Sequence, residues 1–318
     1  MSLLPQPLDS AHYWSTVYKQ ELPVWQPAIS EVTKIHHLSN EIWTRVALGR
    51  NIVFCSPTSI IKLGPPRWSG EMAREVAALR LVAENLSVAT PTVLASGTID
   101  GWDYIVQERL PGTPLWELWN DLSPEAQIDL AYQHGQLMKT IHTLRFESVP
   151  SELQIDWDEM LAEQSQECVA EMLDAGVDAK LVAQVDSYLA ATEWSIDAAP
   201  DVLLHGDLNH LNFLVSREND HWRLTGLVDW GDAKVGAPSH EFISPGVNMY
   251  SGNRAMLTQL YRGYQLDAAK YSEAYEHVVM ARAMLYYADS FLRLLQDVEG
   301  AAMCNNWRSI ARCFWHLT

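Results

Sequence analysis

The sequence predicts an α+β protein with two lobes, a small β-rich N-terminal lobe and a larger, mainly helical C-terminal lobe. Three observations lead to this prediction. The chain has 318 residues, which is long for one domain but suits two lobes with separate cores. Residues 31–110 show short β-rich runs around one helical pattern. Residues 111–318 show mostly the 3.6-residue periodicity of helices.

The N-terminal part begins with four prolines and a short aromatic helical stretch within residues 1–30. We expect this segment to form an extension packed on the lobes. The runs that follow predict strands at residues 31–38, 42–48, 51–55, 59–63, 92–95 and 103–107. One helix is predicted where apolar residues recur at helical spacing, at Met72, Val76, Leu79 and Ala83. Residues 31–110 therefore form the predicted N-terminal lobe.

The C-terminal part, residues 111–318, contains two long helical patterns at residues 125–144 and 157–173. A hairpin interrupts the helices, with strands at residues 213–215 and 222–228 and a polar turn near Asn219. Helical patterns resume from about residue 255 to the end. This order predicts a helical lobe that carries one prominent hairpin.

The charge of the chain excludes some partners and indicates others. With 22 Lys and Arg against 40 Asp and Glu, the formal net charge is −18, which argues against nucleic acid or an anionic membrane as the main partner. Residues 111–318 carry −17 of this charge and residues 1–110 only −1. Two explanations stay open for the acidic part, solubility and the attraction of a cationic small molecule.

The cysteines and the N-terminus predict the setting of the protein. Four scattered cysteines form neither a disulfide framework nor a C-x-x-C metal site, so we expect a reducing, cytoplasmic environment. The N-terminus has no basic stretch followed by an apolar segment, and no window approaches the length of a membrane span. We therefore expect a soluble chain.

Several enzyme signatures are absent from the sequence. No Gly is followed by Lys, which excludes a Walker A loop, and no G-x-G occurs, which removes the dinucleotide fingerprint. The H-E-x-x-H and G-x-S-x-G motifs are missing as well. P-loop ATPases, dehydrogenases, zincins and serine hydrolases are therefore disfavoured.

The motif that is present combines His205-Gly206-Asp207, Asn212 and Val228-Asp229-Trp230. If the hairpin turns near Asn219, antiparallel pairing brings Asn212 close to Asp229. An amide carbonyl and a carboxylate are hard oxygen ligands that suit Mg²⁺. Asp207 precedes the hairpin and is placed to accept a proton from, or to orient, an attacking hydroxyl. This division of labour is that of kinases.

With these motifs, H-G-D-x-x-x-x-N and D-W, the sequence resembles the aminoglycoside phosphotransferase and choline kinase family of kinase-like enzymes, over about residues 42–245. The resemblance implies a two-lobed, protein-kinase-like fold, ATP or GTP as co-substrate and one or two Mg²⁺ ions. It also implies that His205 orients the catalytic loop rather than transferring protons. The family commonly continues with G-D-P and a D-L pair, whereas this chain has Ala237 and Glu241 there.

A phosphate-binding lysine is expected on a strand of the N-terminal lobe, paired with a helix glutamate. Alternation places Lys62 on the face opposite Ile61 and Leu63. Glu75 lies on the otherwise apolar face of the predicted helix, where a carboxylate needs a cation beside it. Glu71 is the alternative acid, although a helix-dipole role in the first turn explains it more simply.

The adenine site follows only from the resemblance, which assigns the backbone carbonyl of Glu108 and the backbone N–H of Leu110 to the base, with Gln107 behind them. The loop over the phosphates stays open. Neither residues 38–41 nor residues 49–51 form a Gly-rich loop.

The sequence thus predicts a phosphotransferase that moves the γ-phosphoryl group of ATP or GTP to a hydroxyl of a small, cationic molecule. An aminoglycoside-like amino sugar is the favoured acceptor. The alternatives are choline or another amino alcohol, an amino-sugar derivative, a macrolide, or a nucleotide-binding pseudokinase without turnover. The absence of G-x-G and of A-P-E disfavours a protein kinase. The oligomeric state is left open.

Overall fold

A computed structural model describes residues 2–7, 9–38, 42–46, 49–83, 85–197 and 200–318. The chain divides into two compact units. The N-terminal unit comprises Met1–Glu84, Ala89–Pro111 and Val228–Asp232, and the C-terminal unit comprises Asn85–Val88, Gly112–Leu227 and Ala233–Thr318. The main break follows Pro111, one residue beyond the predicted end of the first lobe. Residues 228–232, which the sequence assigned to the second lobe, group instead with the N-terminal unit.

The N-terminal unit is built on a five-stranded antiparallel sheet with the order β1-β2-β3-β5-β4. Its strands are β1 Thr44–Val46, β2 Ile52–Cys55, β3 Ser59–Gly64, β4 Val93–Ile99 and β5 Trp102–Glu108. Its helices are α1 Ser10–His12, α2 Leu22–Ile35 and α3 Glu71–Val82. Lys62 on β3 pairs with Val53 on β2 and with Ile105 on β5. The central strand of the sheet therefore carries the predicted phosphate-binding lysine.

The expected strand at residues 31–38 is wrong, because α2 covers most of this segment. Trp25, Ala28, Ile29 and Val32 follow the i, i+3, i+4, i+7 pattern of a helix and are fully buried. They join the same hydrophobic cluster as Tyr13 and strand residues of the sheet. Described residues of the segment 1–30, which the sequence predicts to be a packed extension, thus contribute to the hydrophobic core of the N-terminal unit.

The other elements predicted for this region are present. The strand expected at residues 42–48 is observed as β1, and residues 47–48 lie outside the described residues. Strands β2, β3, β4 and β5 cover the remaining predicted runs, and α3 covers the predicted helix. The segment 39–41, part of one candidate phosphate loop, also lies outside the described residues.

The C-terminal unit is mainly helical, as predicted. Its helices are α4 Leu115–Leu118, α5 Pro124–Thr143, α6 Trp157–Asp174, α7 Ala179–Val182, α8 Val185–Ala190, α9 Arg254–Tyr264, α10 Glu273–Tyr286, α11 Phe291–Asp297 and α12 Trp307–Trp315. Its strands are β6 Thr113–Pro114, β7 Val202–Leu204, β8 Phe213–Glu218, β9 His221–Leu227 and β10 Lys234–Gly236. They form a three-stranded sheet, β6-β8-β9, and a two-stranded ribbon, β10-β7.

Shorter helical turns complete both units. They are 3₁₀ turns at Pro66–Trp68, Trp119–Asp121, Ser151–Leu153, Trp194–Asp197, Pro238–Phe242, Ala268–Lys270, Ala288–Ser290 and Ala301–Met303, and π-helical turns at Tyr13–Val17 and Pro245–Met249. No helix in the described part of the chain is long and apolar enough to cross a membrane.

The predicted hairpin is confirmed as β8 and β9. Its tip is a two-residue turn in which Asn219 and Asp220 both have positive φ angles, 47° and 65°. Two-residue turns of this hand match the twist of the strands they join, and Asn and Asp tolerate the left-handed region. Phe213 pairs with Leu227 at the open end. This register fixes where the chain leaves the hairpin on each side.

Helix α5 is held to α9 by contact between two glycines and the facing backbone. A Cβ atom on Gly135 would lie 2.1 Å from the Leu260 carbonyl oxygen, and one on Gly263 would lie 2.0 Å from that of Tyr132. Since neither position can hold a side chain, the two helices cross at backbone contact. Helix α5 begins after Ser123, whose side chain accepts the Ala126 N–H, and has Pro124 at its first position.

Candidate active site

Lys62 and Glu75 form a buried ion pair in the N-terminal unit. Lys62 Nζ lies 2.7 Å and 2.9 Å from the two carboxylate oxygens of Glu75. It also donates to Asp229 Oδ1 at 2.8 Å. Gln107, predicted behind the adenine site, donates from Nε2 to Glu75 Oε1 at 2.8 Å. The predicted contact between Lys62 and Glu75 is therefore confirmed, and it includes two further site residues.

The charge of Lys62 is set by these neighbours. Burial alone would lower the pKa of the lysine, but the carboxylates of Asp229 and Glu75 raise it above its ordinary value. Lys62 is therefore a permanent cation at neutral pH. The two carboxylates thus compensate the charge of Lys62 and fix the position of its ammonium group.

Residues 228–232 are held to the N-terminal unit by three cations. Besides Lys62 on Asp229, Arg74 donates from Nη1 to the Gly231 carbonyl at 3.0 Å. Arg50 lies 3.2 Å from Asp232 Oδ1. These contacts explain why the segment groups with the N-terminal unit rather than with the helices.

Glu71, for which the sequence predicts a helix-dipole role, forms an ion pair with Arg50. Its Oε1 lies 2.9 Å from Nη2 of Arg50. Burial raises the pKa of Glu71 to about 7, while Arg50 opposes that rise. Glu71 is therefore not the partner of Lys62.

Asp207 lies in the loop between β7 and β8, within the C-terminal unit. Its carboxylate accepts three side-chain hydrogen bonds, from Asn209 Nδ2 at 2.6 Å, Asn212 Nδ2 at 2.9 Å and Ser244 Oγ at 2.9 Å. Asn212 Nδ2 also lies 2.8 Å from the Asp207 carbonyl oxygen. The carboxylate is thus fixed in one orientation, and its role as general base stays a prediction.

Glu241 holds the backbone that leads into Asp207. Its Oε2 accepts the N–H of His205 at 2.7 Å, and its Oε1 accepts the N–H of Gly206 at 2.9 Å. His142 Nε2 lies 3.6 Å from Glu241 Oε2. Burial alone would raise the pKa of Glu241, but His142 and His205 hold it below its ordinary value. Glu241 is therefore a buried anion that fixes the start of the catalytic loop.

His205 is fully buried and its ring faces the loop. Its Nδ1 accepts the backbone N–H of Asp207 at 3.3 Å. This geometry fits the orienting role that the resemblance implies. That role stays a prediction.

The predicted metal ligands, Asn212 and Asp229, both have oxygen donor atoms. Asn212 turns its Nδ2 towards Asp207, which leaves Oδ1 as the oxygen end of the amide. Asp229 has a φ of 65° and a side chain that is 43% exposed. These residues lie one and two positions beyond the last paired residues of the hairpin, Phe213 and Leu227. Each residue by itself offers a hard oxygen donor of the kind that Mg²⁺ takes, and their joint binding of a metal ion stays a prediction.

No cluster of three or more His, Cys, Asp or Glu that could hold a metal ion occurs in the described ranges of the chain.

The predicted adenine segment begins at the end of β5. The N–H of Glu108 donates to the Thr92 carbonyl at 2.9 Å, and the N–H of Arg109 donates to the Thr58 carbonyl at 2.8 Å. Arg109 also donates from Nη1 to the Ser56 carbonyl at 2.8 Å. The segment that contains Glu108 and Leu110 is thus anchored on both sides, and its contact with a base stays a prediction.

The sequence did not reveal four residues that hold this site together, which are Glu241 as a backbone anchor, Asn209, Ser244 and Arg50. The departure from the family pattern at Glu241 was the one available signal. Ser244 and Arg50 carry no motif, because their partners lie 37 and 182 residues away in the chain, at Asp207 and Asp232.

A buried lysine–glutamate pair on a sheet-based unit, and an H-G-D loop ahead of a hairpin on a helical unit, define the class of kinase-like phosphotransferases. The profile of the phosphotransferase enzyme family (APH) matches residues 46–277. The chain belongs to this family, and the predicted two-lobed, kinase-like α+β fold is confirmed.

Individual relatives agree with this assignment. The chain is 28% identical over 181 residues to viomycin phosphotransferase of Streptomyces vinaceus, a match that spans 53% of this chain and 59% of that protein. The GDP complex of aminoglycoside 2′-phosphotransferase-IIIa has a TM-score of 0.69 at 16% identity and covers 92% of this chain and 96% of its own. The streptomycin–ATP–APH(2″)-IIa ternary complex has a TM-score of 0.63 at 17% identity and covers 90% and 97%.

Proposed function

We propose that this protein transfers the γ-phosphoryl group of ATP or GTP to a hydroxyl of a small cationic molecule, with an aminoglycoside-like amino sugar as the favoured acceptor. The observation that carries the proposal is the Asp207 carboxylate, fixed by Asn209, Asn212 and Ser244. A nucleotide-binding module without turnover does not need a carboxylate held in this way.

In the proposed mechanism, Asp207 accepts the proton of the acceptor hydroxyl as its oxygen attacks the γ-phosphorus. The new O–P bond forms while the bond to the bridging oxygen breaks, and the nucleoside diphosphate leaves. Lys62, held by Glu75, binds nucleotide phosphate oxygens. Asn212 and Asp229 would hold Mg²⁺, which neutralises the charge of the transferring group when bound.

The nucleotide base is assigned to the backbone of Glu108 and Leu110, with Gln107 behind it. Relatives are known in complex with ATP and with GDP, so both nucleotides are candidates. In the N-terminal unit, the cation Lys62 suits a nucleotide phosphate and the carboxylate of Asp229 suits the metal ion that accompanies the phosphate.

The choice of a cationic acceptor rests on charge and on the relatives. Residues 111–318 carry a formal net charge of −17. Such a field attracts polycations and repels anions. Streptomycin is bound by one relative, and viomycin is named as the substrate of another.

The test is turnover of purified protein with ATP or GTP and Mg²⁺ against aminoglycosides, viomycin, amino alcohols and macrolides. We expect a product heavier by one phosphoryl group with at least one cationic acceptor. Nucleotide binding without hydrolysis and without any phosphorylated product would contradict the proposal and favour the pseudokinase.

The variant Asp207→Asn should lower kcat by about 10²-fold or more, because it removes a general base. The affinity for the nucleotide should stay unchanged. Asp220→Asn, which makes the same change at the exposed hairpin tip, is the matched control and should keep full activity. Near-normal turnover of Asp207→Asn would refute the assignment.

A further inference from the structure

Two cations join α3 to the segment 228–232 in parallel. In the first ion-pair row, Lys62 lies between Glu75 and Asp229. In the second, Arg50 lies between Glu71 and Asp232, at 2.9 Å and 3.2 Å. Glu71 and Glu75 are one helical turn apart, a spacing that puts their Cβ atoms about 6 Å from each other on one helix face. Arg50 is thus the neighbour of the phosphate-binding lysine.

Arg50 reaches this position from the turn between β1 and β2. Val46 on β1 pairs with Val53 on β2, and Val53 pairs with Lys62 on β3. The turn between β1 and β2 therefore begins near the strand positions that lie beside the lysine. Gly49 is the single glycine among the described residues of this turn, residues 49–51. Gly-rich phosphate loops use several glycines to let backbone N–H groups approach a phosphate, and residues 49–51 offer one.

The guanidinium group of Arg50 can supply hydrogen-bond donors for a phosphate in place of backbone N–H groups of the turn. It lies 5.6 Å from the ring centroid of Trp68, which supports it from one side. Its side chain is 40% exposed, whereas that of Lys62 is 8% exposed. A guanidinium presents several donors in a planar fork that matches phosphate oxygens. Arg50 is therefore charged, oriented and accessible.

We propose that Arg50 is a second nucleotide-phosphate ligand, which replaces the backbone amides of a Gly-rich loop. Glu71 and Asp232 hold its guanidinium in place, and the phosphate oxygens of the nucleotide compete with these carboxylates for its donors. The inference rests on the proposed function, since it needs a nucleoside triphosphate at Lys62. It assigns the phosphate-covering role to residues 49–51.

The experiment measures the dissociation constants of ATP, GTP and adenosine by titration calorimetry in EDTA, so that no metal contributes. Arg50→Gln should weaken binding of the preferred triphosphate about tenfold or more, because a charge-assisted contact is lost. Adenosine binding and the thermal unfolding temperature should change little, and Arg50→Lys should recover part of the affinity. Arg80→Gln, which removes an exposed charge from the last turn of α3, is the control and should bind as the wild type does.

Glu71→Gln separates this proposal from a purely structural role of Arg50. If Arg50 binds phosphate, removing a competing carboxylate should leave triphosphate affinity equal or tighter. If Arg50 only fixes the segment 228–232, Glu71→Gln should weaken binding as Arg50→Gln does, which would overturn the inference. Unchanged triphosphate affinity in Arg50→Gln would overturn it as well. A wild type that binds no nucleotide even when Mg²⁺ replaces EDTA would instead refute the proposed function, and this inference with it.

Discussion

Replacing Glu241 with Gln tests whether a buried anion positions the catalytic loop. In the wild type, each carboxylate oxygen accepts one backbone N–H, from His205 and from Gly206. A glutamine side chain has one oxygen and one NH₂ group, so it can accept only one of these bonds. The other backbone N–H would then face a donor in a site where Glu241 is 1% exposed.

The expected cost follows from this geometry. A hydrogen bond to a charged group contributes about 1.5–3 kcal/mol, and a buried donor left unsatisfied adds to the loss. We therefore expect the free energy of unfolding to fall by about 3 kcal/mol. Because Gly206 precedes Asp207 directly, its displacement should also misplace Asp207, the proposed general base. A shift on the order of 1 Å lowers kcat by about 10²-fold.

The assay combines urea denaturation with steady-state kinetics under conditions where each variant is folded. The matched control is Glu276→Gln, since Glu276 is also 1% exposed and accepts the N–H of Leu317 at 3.0 Å and the hydroxyl of Thr318 at 3.1 Å. Both variants should lose stability, Glu276→Gln less, because the Thr318 hydroxyl can accept a hydrogen bond from the glutamine NH₂ group. Only Glu241→Gln should lose kcat, while its KM for the nucleotide should change little.

The reasoning would be refuted if Glu241→Gln lost stability as Glu276→Gln does but kept the wild-type kcat. Glu241 would then support the fold without positioning Asp207.

Three further predictions concern charged and titratable groups of the chain. Lys62→Ala and Glu75→Ala should each lower kcat/KM strongly and the double variant little more, since the residues act as a unit; additive losses in the same kinetic assay would show that they act separately. Burial lowers the pKa of His134 to about 3, so the folded state binds fewer protons than the unfolded chain below its ordinary pKa of about 6.5. The free energy of unfolding should therefore fall as the pH drops below about 6.5, by up to about 1.4 kcal/mol per pH unit from this residue. In denaturation experiments at several pH values, His134→Asn should show a shallower dependence of this free energy on pH. An unchanged dependence would contradict the prediction. If the acidic C-terminal part steers a cationic acceptor, kcat/KM for the acceptor should fall steeply with added salt and nucleotide affinity should change less; insensitivity to salt would leave solubility as the explanation.

Local patterns in the sequence were sufficient for most of the fold. The hairpin was predicted because Asn219 and Asp220 supply the turn chemistry, and the strand of Lys62 was predicted from its alternation. The strand prediction at residues 31–38 is wrong because most of this segment is the end of α2, whose helical period of apolar residues begins earlier, at Trp25. The prolines before that point gave the impression of an irregular segment, although Pro23 occupies a position that helices accept near their start.

The candidate site divides in the same way. Asp207, Asn212 and Asp229 lie within 23 residues of sequence and form a motif. The residues that hold them do not, because an anchor is recognisable only when its partner is known. Glu241 acts on a backbone 35 and 36 residues away, and Arg50 acts on Asp232 across 182 residues. Single-sequence patterns contain no information on such pairs.

The crossing of α5 and α9 limits how this enzyme can change. At most helix contacts, a larger residue on one side can be accommodated by a smaller one on the other. Gly135 and Gly263 each face backbone, and glycine has no smaller replacement, so no compensating substitution exists at this crossing. The same helix α5 carries His142 to Glu241 and packs His134 against Phe213 of the hairpin. Under selection for a new acceptor, we therefore expect substitutions to accumulate on other surfaces, while this pair of glycines stays fixed.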